Sequence, residues 1–87
     1  MDKITLLSLS NDLRRITTSI QRGSIENANR FSKEARSWIK TDIDDVYLKG
    51  LMEKVINSLD QENDLKKAED CLTYSVLLQN QALHASK

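Results

Sequence analysis

Eighty-seven residues, 39% of them hydrophobic and 30% charged, make a chain too apolar to stay disordered and too charged for a membrane protein, and short enough for one helical domain over residues 1–87. Thirteen basic and thirteen acidic groups cancel, which argues against the strong overall field of a dedicated nucleic-acid binder. The single cysteine, Cys71, excludes an internal disulfide and a multi-thiolate metal site.

No apolar run approaches the roughly 18 residues that span a bilayer, and the opening residues lack a secretory pattern, so the expected address is cytoplasmic. A chain of this length buries only about 60–65% of its unfolded surface. That thin core, together with wide apolar faces containing Leu51 and Ile56 in one segment and Leu72, Val76 and Leu83 in another, leads to the expectation of a homodimer. Zero prolines and two glycines leave few forced breaks, which favours an almost wholly helical backbone.

Taken in chain order, Leu6, Leu9, Leu13, Ile16 and Ile20 recur in steps of three and four, predicting a first helix over 3–21 that ends at Gly23, with Ser24 capping the next. A second helix over about 25–39 carries Ile25, Ala28, Phe31, Ala35, Trp38 and Ile39 on one side. The polar stretch Thr41-Asp42-Ile43-Asp44-Asp45 reads as a turn in which Thr41 or Asp42 caps a third helix over about 43–59, with Leu48, Leu51, Met52, Val55, Ile56 and Leu59 inward. Gly50 inside it marks either a close helix crossing or a tolerated weakness. Asn63 is placed to cap a fourth helix that turns Leu65, Ala68, Leu72, Ser75, Leu78 and Ala82 inward, flanked by Cys71, Val76 and Leu83.

The periodicity of all four segments predicts an all-α fold, an antiparallel four-helix bundle or two packed helical hairpins. The halves align faintly on each other at an offset of about 40, but two hairpins are too few for a solenoid, which normally needs three or more repeats. A closed bundle is the expected arrangement.

The catalytic inventory is thin, and no metal site, cofactor loop or nucleotide-binding motif is present in the sequence. His84 lies near a fraying end, where nothing fixes a tautomer for acid-base work. Cys71 reads as a buried small hydrophobe, with Glu69 and Asp70 opposing its ionisation. The acids Asp42, Asp44 and Asp45 lack the spacing of a calcium loop and suit helix capping.

Charge is unevenly distributed: residues 1–40 carry eight basic and four acidic groups, while residues 41–87 carry five basic and nine acidic. On the second helix Arg30, Lys33, Arg36 and Lys40 fall within about 120° of one another, away from the apolar side. These four are the predicted protein-interaction residues, facing a partner with an acidic surface. The leading expectation is a noncatalytic protein–protein interaction module, a small regulator, assembly factor or adaptor, that needs no cofactor. One alternative is a small helical nucleic-acid-binding regulator that uses the basic second helix. Another is an enzyme whose site forms between subunits from Glu53 or Glu69 with Tyr47 or Tyr74.

Overall fold

The computed structural model describes residues 1–39 and 43–85, which form four α-helices and no strand: α1 (Lys3–Gln21), α2 (Ile25–Trp38), α3 (Val46–Leu59) and α4 (Asp64–Ala85). The bundle measures 38 × 20 × 19 Å. Its helix ends follow from local polar chemistry. Asp2 accepts the Thr5 amide at 2.8 Å, Asp45 that of Leu48 at 3.1 Å and Asn63 that of Lys66 at 3.0 Å, so α1, α3 and α4 each begin on a side-chain cap.

Gly23 has φ +76°, the left-handed conformation that lets α1 close. Its amide donates to the Ile20 carbonyl at 3.0 Å and the Ser24 amide to that of Ser19 at 2.8 Å, the paired bonds of a Schellman ending. Ser24 accepts the Ala28 amide through its carbonyl at 3.1 Å but makes no side-chain capping bond to α2, contrary to the sequence expectation: at φ −94° and ψ 78° its backbone lies outside the extended conformation typical of a capping residue. The third helix starts at Val46 rather than near residue 43, because the effective cap is Asp45; Thr41 and Asp42 lie outside the described residues. Ile43 precedes the helix and packs against the core from the connection.

α1 is the central element, packed most extensively on α4 and then on α2, while α3 rests on α4. Leu6, Leu9, Leu13 and Ile16 are buried, as the periodicity requires. The α1–α4 contact is close. Ser10 Oγ donates to the Ser75 carbonyl at 2.7 Å and Thr17 Oγ1 to the Ala68 carbonyl at 2.8 Å, so contacts later in α1 meet residues earlier in α4 and the two helices run antiparallel.

The face of α4 that allows this approach is made of small side chains at seven-residue steps, Ala68, Ser75 and Ala82, with Cys71 and Leu78 beside them. Ala68, Ser75, Leu78 and Ala82 are thus inward as the spacing predicts, while the expectation for Leu65 and Leu72 is corrected. Turning the small residues toward α1 rotates Leu65 and Leu72 outward, and they are 72% and 44% exposed. Ile25, expected to face inward, is likewise exposed. Leu51, expected to contribute to a dimer face, is buried.

α2 is tied to α1 at its far end by a buried carboxylate: Trp38 Nε1 donates to Asp12 Oδ2 at 3.0 Å, and Arg15 lies 3.5 Å from Asp12 Oδ1. At the same end Arg36 forms an ion pair with Asp60, the residue that closes α3.

Candidate functional site

Cys71 is fully buried, and burial pushes its thiol up to about 11, with Lys67 opposing and Asp70 adding to the rise. Such a thiol is poorly suited to nucleophilic work near neutral pH. His84 is exposed in the last turn of α4. Among the described residues no three His, Cys, Asp or Glu side chains gather as metal ligands would. Tyr47 and Tyr74 meet in one shallow groove between α3 and α4, lined also by Gly50, Leu51, Lys54 and Leu77, but neither Glu53 nor Glu69 lines it. The pairing of carboxylate with phenol that would supply proton transfer is therefore not assembled within one chain.

The polar concavity lies between α1 and α2. Asn11, Arg14, Arg15, Thr18 and Arg22 lie within about 100° on α1, opposite the buried leucines. The Schellman turn then folds the chain back so that Ser24, Asn27 and Phe31 form the second wall. The result is an open groove of about 500 Å³ with three guanidinium groups, two amides and three hydroxyls among its lining side chains, none of which is acidic.

Phe31 organises part of this charge. The Arg15 and Arg30 guanidinium carbons lie over its ring, 5.6 and 5.0 Å from the centroid. Cation–π contact of this kind holds a flexible cation at roughly 0.5–1 kcal/mol at exposed sites. Arg14 is held from the other flank, donating through Nη2 to Gln79 Oε1 on α4 at 3.0 Å. The start of α2 adds a further favourable element, since its first amides have no side-chain cap and its dipole is positive there.

The four residues expected on the second helix have separate environments. Arg30 stacks on Phe31 at the edge of the groove, Lys33 is exposed, Arg36 is paired with Asp60, and Lys40 lies outside the described residues. The structure adds Arg14, Arg15 and Arg22. Their common face was readable from their spacing on α1; what periodicity does not show is that Phe31 and Asn27 of α2 are set beside them.

Comparison with family models, curated proteins and solved structures finds no match to this chain. Among the described residues no helix is long and apolar enough to cross a membrane.

Proposed function

We propose that this chain is a noncatalytic protein-interaction module, working as a homodimer, whose arginine-lined groove receives an acidic segment of a partner protein. The observation that carries this reading is the convergence of Arg14, Arg15 and Arg22 on one concavity whose lining includes amides and hydroxyls but no carboxylate. Guanidinium is the cation that matches a carboxylate with two parallel hydrogen bonds, and Asn11 and Asn27 can satisfy the backbone of an extended segment. Arg30 connects the groove to the outward charge at Lys33, which extends the field a partner meets on approach.

A balanced overall charge favours a protein over a polyanion, whose affinity rests on the sum of many phosphate contacts. The groove's single aromatic residue is already occupied by its own arginines instead of presenting a face for base stacking.

Titration of a fluorescent oligoglutamate peptide at about 50 and 200 mM salt tests the reading, with a mixed-sequence oligonucleotide in parallel. Wild type should bind the peptide, and the Arg15→Ala/Arg22→Ala variant, checked for helicity by circular dichroism, should lose about tenfold or more in affinity. Lys33→Ala should lose less. Peptide affinity that is absent, or unchanged in the double variant, overturns the proposal. Tighter binding of the oligonucleotide with a steep salt slope would replace it with the nucleic-acid reading.

A further inference from the structure

α4 carries a second surface. Leu65, Leu72, Val76 and Leu83 are 72%, 44%, 45% and 54% exposed, far above the usual level for large aliphatic side chains in a small core. At 100° per residue they fall within about 40° of one another, in a line about 27 Å long. Glu69 and Gln79 occupy the two gaps, so the line reads Leu65, Glu69, Leu72, Val76, Gln79, Leu83.

Reversed, this line keeps its pattern: apolar, polar, apolar, apolar, polar, apolar. A two-fold contact requires a surface complementary to its own reversed copy, and this surface meets that condition. We infer that a second copy of this chain packs its α4 antiparallel on this face, with Leu65 opposite the second copy's Leu83, Leu72 opposite its Val76 and Glu69 opposite its Gln79. This register presupposes the homodimer and goes beyond it in naming the residue pairing and the direction.

Charge selects the direction. In a parallel pair the two Glu69 carboxylates face each other, a destabilising arrangement of like charges. In the antiparallel pair each Glu69 meets an amide whose oxygen already holds the Arg14 guanidinium at 3.0 Å, so the carboxylate arrives beside a donor and a fixed cation. Shape agrees at the ends of the line. A groove of about 350 Å³ between α1 and α4, walled by Thr17, Ile20, Leu65, Ala68 and Leu72, lies where the second copy's Leu83 would arrive. One helix face on another is small against the standard of about 800 Å² per partner, so dissociation is expected in the micromolar range.

Sedimentation across a concentration series should approach twice the 10.0 kDa chain mass. Leu72→Asp, which places a carboxylate in the seam, should weaken association about a hundredfold while leaving helicity intact. Direction is read by disulfide trapping in a Cys71→Ala background. A mixture of Leu65→Cys and Leu83→Cys chains should form a covalent heterodimer, whereas Leu65→Cys alone should not, its two thiols lying about 27 Å apart in the antiparallel pair. Monomer at every concentration overturns both the homodimer and the register. A dimer indifferent to Leu72→Asp overturns the face, and one in which Leu65→Cys links to itself overturns the direction alone.

Discussion

Asp12 joins two helices through a carboxylate in a place that disfavours its charge. Burial and the nearby Glu34 push its carboxyl above the usual value, and the Trp38 hydrogen bond and the Arg15 cation only partly counter them. A carboxyl that holds its proton more tightly folded than unfolded makes the native state the better proton binder between the unfolded value, about 3.8, and the raised native one. Stability therefore falls as pH rises through that window, and the cost persists at neutral pH. Asp12→Asn keeps an oxygen to accept from the Trp38 indole and removes the charge. It should be more stable than wild type at pH 7, by a margin that shrinks as the pH is lowered toward about 4. Asp12→Ala should instead lose about 1–3 kcal/mol by leaving the indole N–H without its partner. Thermal melts followed by the fluorescence of Trp38, the chain's one tryptophan, measure both effects at the α1–α2 contact.

Among the helices, the two glycines separate two uses of a missing side chain. Gly50 is in the interior of α3, and a Cβ there would meet nothing within 4 Å, so no neighbouring helix depends on its smallness and it stands as a local weakness. Gly50→Ala should raise stability by about 0.8–1 kcal/mol, and Gly23→Ala should lower it by about 1–2 kcal/mol because the φ of +76° must be kept for α1 to close. Each kcal/mol corresponds to roughly 4–8 °C in the melting midpoint of a domain this size, so the pair should diverge clearly in calorimetry. The same scale shows what the sequence makes legible. The α1 stripe, the Gly23 break and the Asn63 cap are local patterns, and the structure has all three. The inward face of α4 was partly legible: spacing put Ala68, Ser75, Leu78 and Ala82 inward, where they are buried, but it put Leu65 and Leu72 there too, because that helix has two apolar faces, one small and one large. Only the close approach of α1, with Ser10 and Thr17 bonded to α4 carbonyls, selects the small one. The arginine groove was half legible for a related reason: helical spacing groups Arg14, Arg15 and Arg22, but the wall opposite them comes from another helix.

Across the whole molecule, the opposed charge of the two halves could either align the hairpins in folding or serve encounters with partners. The contacts argue against the first use. Arg36–Asp60 is the ion pair seen between the halves among the described residues, and its side chains are 44% and 61% exposed, where such a pair is worth about 0–1 kcal/mol. The α1–α4 contact that joins the halves is made of buried apolar side chains and two hydroxyl–carbonyl bonds, which salt does not screen, with one exposed bond from Arg14 to Gln79 at its edge. Folding should therefore be nearly indifferent to ionic strength, with the urea midpoint of a dilute sample changing little between about 50 and 500 mM salt. Peptide binding in the groove should weaken over the same range. A double-mutant cycle on Arg36→Ala and Asp60→Ala should give a coupling of at most about 1 kcal/mol. A coupling above about 2 kcal/mol, or a midpoint that drops steeply with salt, would mean that the charge asymmetry holds the hairpins together, leaving less of the basic half's field available to a partner.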